Sequence, residues 1–273
     1  MKIVRITATY VVIVALGALF VIPLLWMLTV SLSRPEEVAQ PGIRLLPASL
    51  RFSNYSTALT LMPFGSYALN TIKVTALAML GGVLSSAMAA YAFARLRAPG
   101  KNAFFVLVLS TVMLPGMVTQ IPTFIIVKNL GWYDSLLPLI VPAWFGNAFY
   151  IFLLRQFFLT IPGDLEDAAR IDGCGTWRIF WQIMLPLSKP ALTAVAVFSF
   201  VAHWNDFMTP LIYLNSVNKR TLALGLATFS DVWGVDIVSL MAASTTVILP
   251  VLVIFFFAQK YFVQGIVMTG LKS

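Results

Sequence analysis

Charged side chains punctuate this chain at wide intervals, and the stretches between them are apolar. No charge falls between Arg5 and Arg34, Lys73 and Arg95, Lys101 and Lys128, Asp134 and Arg155, or Asp236 and Lys260. These gaps hold 28, 21, 26, 20 and 23 residues, and a helix needs about 20 to cross the hydrocarbon core of a bilayer. A sixth stretch, Pro190 to Asn218, carries only Asp206. The pattern predicts an all-α integral membrane protein with six transmembrane helices, at roughly 8–30, 69–94, 103–126, 136–158, 190–214 and 238–259. Lys2 and Arg5 give the first of these the look of a signal peptide. Its apolar run is too long for an h-region and no small-x-small cleavage site follows, so an uncleaved helix is expected.

Composition sharpens this. Of 273 residues, 60% are apolar and 10% charged, with a mean hydropathy of +0.91, whereas soluble domains carry about 25% charged residues. A water-soluble enzyme, a disordered chain and a disulfide scaffold are excluded. Cys174 and His203 are single residues of their kind, so neither a disulfide nor a structural zinc site is expected. The net charge of +8 then reads as membrane orientation rather than nucleic-acid binding. With six helices, one side holds Lys2, Arg5, Arg95, Arg97, Lys101, Arg155, Arg170, Arg178, Lys189, Lys260 and Lys272. The other holds Arg34, Arg44, Arg51, Lys128, Lys219 and Arg220. The richer side is expected to be cytoplasmic, with both termini.

The second predicted helix carries small residues four apart, at Gly81, Ser85 and Ala89 and at Gly82, Ser86, Ala90 and Ala94, which let neighbouring backbones approach. Prolines interrupt apolar runs at Pro115, Pro122, Pro138, Pro142, Pro210 and Pro250. Each leaves a backbone carbonyl without its donor, tolerable only against protein or a wet cavity. Within the fifth helix, Trp204, Asn205 and Asp206 precede Pro210. An intramembrane carboxylate marks either a solute pathway or a fold-fixing hydrogen bond, and Pro210 predicts a kink there. Trp204, Asn205 and Asp206 are the pore-lining candidates. His203 reads as a packed polar residue.

The segment 160–187 is too polar for lipid, yet patterned. Pro162-Gly163 ends one helix, Asp164 is placed to cap the next, and acids in its first turn suit the helix dipole. Leu165, Ala168, Ala169 and Ile171 give it an apolar side, and Asp172-Gly173-Cys174-Gly175 stops it. Thr176 is placed to cap a second helix bearing Trp177, Phe180, Ile183 and Met184, which ends at Leu185-Pro186. Two short amphipathic helices outside the membrane predict either a docking peg for a cytoplasmic partner or a lipid-surface pair, and the acidic first turn argues against the latter.

Glu166-Asp167-Ala168-Ala169-Arg170-Ile171-Asp172-Gly173, followed by Ile183-Met184-Leu185-Pro186, resembles the EAA loop of binding-protein-dependent ABC importer permeases. Asp167 stands where that family most often has Glu, and Cys174 where it usually has Ala. Phe149 to Leu192, the Trp204-Asn205-Asp206-Phe207 run and the ending Phe262-Val263-Gln264-Gly265 to Gly270-Leu271-Lys272 are similar to the carbohydrate-uptake branch, in particular the six-helix permease of maltose-type importers. The resemblance spans essentially the whole chain.

It implies a multi-pass permease in a prokaryotic inner membrane, moving a sugar, polyol or glycerol-phosphate solute. The implied partners are two ATP-binding subunits, a second homologous permease and an extracytoplasmic solute-binding protein. The docking residues it implies are Glu166, Asp167, Ala168, Ala169, Asp172, Gly173, Leu185 and Pro186, with Asp167 facing the ATPase and Gly173 allowing the turn. The tail from Gly265 to Ser273 would also reach the ATPases, and the external loop from Ser31 to Ala68 would meet the binding protein. No cofactor is expected on this chain, ATP and Mg belonging to the partner subunits. Independently, Gly100-Lys101 lacks the remaining residues of a Walker A motif, so the chain is expected to be a transport subunit and not an enzyme. The competing reading is an ion-coupled secondary transporter using Asp206. A membrane-embedded hydrolase would need a nucleophile–base pair or metal cluster, for which one His is a poor start.

Overall fold

The computed structural model describes residues 2–40, 46–231 and 234–270, of which 2–5, 228, 230–231, 234–235 and 260–270 are described by backbone alone. Eight helices carry the architecture: α1 (Lys2–Leu32), α2 (Phe64–Arg95), α3 (Lys101–Ser110), α4 (Gly116–Asn129), α5 (Ala148–Thr160), α6 (Asp164–Ile171), α7 (Lys189–Trp204) and α8 (Ile237–Gly270). Among the described residues, four stretches are long and apolar enough to cross a membrane: Ile6–Leu32, Phe64–Arg95, Leu137–Thr160 and Ile237–Gln259. The expected third helix is instead two. Lys101–Met113 and Gly116–Asn129 meet at 98°, because Pro115 takes an extended conformation that a helix cannot continue through. The expected fifth helix ends at Trp204, and a short helix resumes at Met208–Tyr213. Pro210 thus accompanies a full break rather than a kink. Before Lys189 the chain turns by 80° from the Thr176–Leu187 helices.

The chain forms two compact units. One comprises Met1–Phe64 with Gly225–Pro250. In it, the face of α1 from Ile6 to Phe20 is exposed and uncharged, as lipid requires. The C-terminal carbonyls of α1 have no helical donors. Asn54 supplies them, donating from Nδ2 to the carbonyls of Ser31 and Ser33 at 2.9 Å each. The Ser31 and Tyr55 hydroxyls bond at 2.8 Å.

The other unit comprises Gly65–Leu224 with Val251–Ser273. Its main core joins Ala87, Ala90 and Tyr91 of α2 to Tyr150, Ile151, Leu154 and Phe158 of α5, Ala169 of α6, and Ile179, Phe180 and Met184. The small residues of α2 make this approach possible. A Cβ on Gly81 would lie 2.4 Å from the Trp144 ring, and one on Gly82 3.6 Å from the Ala143 carbonyl. Ser86 Oγ accepts from the Asn147 amide at 3.0 Å. A second cluster gathers Val74, Val127, Leu139, Tyr213, Leu214 and Leu224. Beside it, Thr71 Oγ1 accepts from the Leu222 amide at 2.8 Å, and Asn70 Nδ2 donates to the Asn218 and Arg220 carbonyls.

Candidate functional site

The loop 160–187 folds as expected in outline: α6, a turn at Gly173, then Thr176–Ile179 running into a π-helical turn at Phe180–Met184. Two details differ. Gly163 and Gly175, not Asp164 and Thr176, stand at the N-caps, and neither helix has a side-chain cap. The Gly163 carbonyl already accepts from the Glu166 and Asp167 amides, so each helix begins one residue early. The C-terminus of α6 closes with Gly173 at φ +79°. The Cys174 amide donates to the Ala169 carbonyl and the Gly173 amide to that of Arg170, a pairing that needs a left-handed residue at Gly173.

Burial on α6 does not follow polarity. Glu166 is 4% exposed and Ala169 6%, while Ile171 is 87% exposed and Leu165 44%. Asp167, Ala168, Asp172 and Gly173 are also exposed. Glu166 is held by charge: its Oε1 lies 3.2 Å from Arg95 Nε, close but without hydrogen-bond alignment, and its Oε2 lies 3.7 Å from Arg170 Nη2. Arg95 Nη2 also donates to the Phe158 carbonyl at 2.6 Å and to that of Ile161. Leu185 is half-buried and Pro186 exposed at the far end of the loop. Sequence reasoning missed Arg95 as part of this site, reading it only as an orientation charge. Its sole signal was a basic residue closing a long apolar helix.

Of the three pore-lining candidates, Asp206 lines a cavity. Trp204 is buried and stacks on Phe200 at 5.2 Å, and Asn205 is exposed, with Nδ2 donating to the Val201 carbonyl. The cavity, of about 370 Å³, is lined by Gly82, Asn147, Tyr150, His203, Asp206 and Thr209 among others. Asp206 Oδ1 accepts from the Thr209 amide at 3.1 Å. His203 Nδ1 lies 2.7 Å from the Ser199 carbonyl, and a carbonyl only accepts, so Nδ1 donates to it.

A second polar cluster escaped the sequence altogether. Asp134, at φ +56°, accepts from the Asn215 and Ser216 amides at 2.9 Å each and from Ser216 Oγ at 2.5 Å. Lys219 Nζ lies 3.1 Å from its Oδ2 and donates to its backbone carbonyl. The Ser216 hydroxyl, then the two amides, hold the carboxyl well below the usual carboxylate range.

Residues 79–268 match the family described as "Binding-protein-dependent transport system inner membrane component". The diacetylchitobiose uptake system permease protein NgcG of Streptomyces coelicolor is 33% identical over 89% of this chain and 82% of its own length. The sn-glycerol-3-phosphate transport system permease protein UgpE of Yersinia pestis is 33% identical over 92% of both chains. A permease from the crystal structure of a bacterial ABC transporter importing the acidic polysaccharide alginate superposes with a TM-score of 0.82, at 26% identity, over 94% of this chain and 95% of its own. These matches do not favour the ion-coupled reading of Asp206. By these matches the chain belongs to the inner-membrane components of binding-protein-dependent transport systems, as an ABC importer permease.

Proposed function

We propose that this chain pairs with a second permease, two ATP-binding subunits and an extracytoplasmic solute-binding protein to import an uncharged, hydroxyl-rich solute, a sugar or polyol. The observation that carries the assembly is the outer face of α6. Ile171 and Leu165 are apolar and exposed beside Asp167, Ala168, Asp172 and Gly173, a surface that gains by being covered. ATPase docking there, through the loop 160–187 with Leu185 and Pro186 at its far end, supplies the cover. Six spans follow if the bent pair α3–α4 and the interrupted pair α7 with Met208–Tyr213 each cross once, beside the four long apolar stretches. The excess of Lys and Arg then puts the termini and the loop 160–187 in the cytoplasm.

The solute class rests on the cavity at Asp206. It is lined by Asp206 with Asn147, Tyr150 and Thr209, and no Lys or Arg lines it among the described residues. Such a surface receives hydroxyl donors and repels phosphate or carboxylate groups.

Purification of the tagged chain from its native membrane in mild detergent, with mass spectrometry of its companions and of any solute carried by the binding protein, tests the reading. An ATP-binding subunit, a second permease and a neutral polyhydroxylated solute are expected. A stable, monodisperse chain recovered alone would overturn it.

A further inference from the structure

Two neighbouring acids on α6 point opposite ways: Asp167 faces out, with a side chain 72% exposed, and Glu166 faces in, with a side chain 6% exposed. A helix needing only to lie on an apolar bed would carry an apolar residue at the inward position, since a buried carboxylate loses its hydration. What meets Glu166 is the Arg95 guanidinium, itself 15% exposed. That one group reaches three partners on two elements: Glu166 on α6, and the Phe158 and Ile161 carbonyls at the C-terminal end of α5. It stands on the last residue of α2. A second arginine repeats the α2–α5 link, with Arg155 Nε donating to the Phe93 carbonyl at 3.3 Å and its guanidinium 4.1 Å over the Phe105 ring.

From this we propose that Glu166 is a positioning residue for transport: through Arg95 it locks α6 to the ends of α2 and α5, so that the three move as one body when the ATPases close. The proposal rests on the reading that α6 is the ATPase-docking helix. Apolar contacts such as those of Ala169, Phe180 and Met184 fill the space beneath α6, yet they are non-directional and let a helix slide. Here the aligned hydrogen bonds are those from Arg95 to the two backbone carbonyls, and they fix the cation in place, so that the charge holding the Glu166 carboxylate is itself anchored. It transmits a pull along α6 to α2 and α5 instead of absorbing it. Arg170 contributes less, being 53% exposed and 3.7 Å away. The division of labour is therefore between Asp167, which meets the partner, and Glu166, which passes the movement on.

The test uses the complete complex with its ATPase subunits and binding protein in nanodiscs, in a Cys174→Ser chain. Spin labels at Arg97→Cys, just past α2, and Asp164→Cys, at the start of α6, report their separation by pulsed electron resonance. In the otherwise native chain the distance between labels stays constant within about 1 Å between the nucleotide-free and ATP/vanadate-trapped states, below the shifts typical of sliding interface helices. With Glu166→Gln the distribution broadens, and stimulation of ATP hydrolysis by the loaded binding protein falls about tenfold. Arg170→Ala keeps stimulation within about twofold. A label distance that changes on trapping in the Glu166 chain overturns the proposal whether or not the Gln variant assembles. So does full stimulation in an assembled Glu166→Gln complex. If no ATPase co-purifies with the chain, it is the docking reading itself that fails.

Discussion

Consider a methyl group added at Gly81. Its Cβ would sit 2.4 Å from Cδ1, Cδ2 and Cε2 of Trp144, whereas carbon atoms rest comfortably at 3.5–4.0 Å, so the ring must retreat by about 1.4 Å. The backbone beneath Trp144 cannot follow freely. The Ala143 carbonyl lies 3.6 Å from where a Cβ on Gly82 would stand, and the Asn147 amide is tied to Ser86. Overpacking of this kind costs about 1–3 kcal/mol, against which alanine recovers up to about 1 kcal/mol of helix propensity. Gly81→Ala is therefore expected to destabilise by about 1 kcal/mol. Gly65, on the same helix with nothing within 4 Å of its Cβ position, gives the control: Gly65→Ala is neutral or stabilising. SDS-induced unfolding of the purified chain, followed by far-UV circular dichroism, measures both. The double variant Gly81→Ala/Trp144→Ala should recover most of the loss, because the clash and its partner vanish together. Equal stability of the two glycine variants, or strict additivity in the cycle, would refute the reasoning.

Other outcomes follow from the loops. At Gly173, φ is +79°, a conformation that costs a side-chain-bearing residue about 1–2 kcal/mol. Gly173→Val should abolish binding-protein-stimulated ATP hydrolysis, whereas Gly163→Ala, at φ −64°, should leave it intact. Retained stimulation in Gly173→Val would mean the turn is not needed. The Asp134 carboxyl is held below its ordinary value by Ser216 and Asn215, so its contribution is present above the unfolded carboxylate pKa of about 3.9 and is lost as pH falls below it. Hydrogen exchange at the Asn215 and Ser216 amides should be slow at neutral pH and speed up in Asp134→Ala beyond the intrinsic rate change. Unchanged protection would show that the carboxylate does not hold that loop.

The spans were legible because burial in lipid demands long uncharged runs, and charge is easy to see. The expected 69–94 and 238–259 lie within α2 and α8. Proline breaks were harder: Pro122 sits inside α4 without interrupting it, while Pro115 ends a helix, and composition does not separate the two. In the loop, Pro162-Gly163 and Gly173 marked the ends of α6 because their backbone preferences are local. The inward turn of Glu166 was hidden for the opposite reason. Sorting a helix by polarity sends a carboxylate outward, and only a cation from α2 reverses that. Asp134 and Lys219, 85 residues apart, were likewise invisible until the fold joined them. Residues 41–45 of the loop expected to meet the binding protein, and residues 271–273 of the tail expected to reach the ATPases, lie outside the described residues.

The bend between α3 and α4 bears on how the protein reaches the membrane. These helices have 10 and 14 residues, about 15 and 21 Å, each short of the roughly 30 Å of hydrocarbon. At their junction Val112, Met113, Leu114, Met117 and Val118 are all exposed, and the backbone there lacks continuous helical bonding, which lipid does not tolerate. A nascent segment of this kind is a poor client for one-at-a-time release from a translocon. It needs neighbours already in place on both sides. Backbone of this kind is tolerated at membrane depth only against protein or a wet cavity, so the seam between α3 and α4 is a surface that lipid alone leaves unsatisfied.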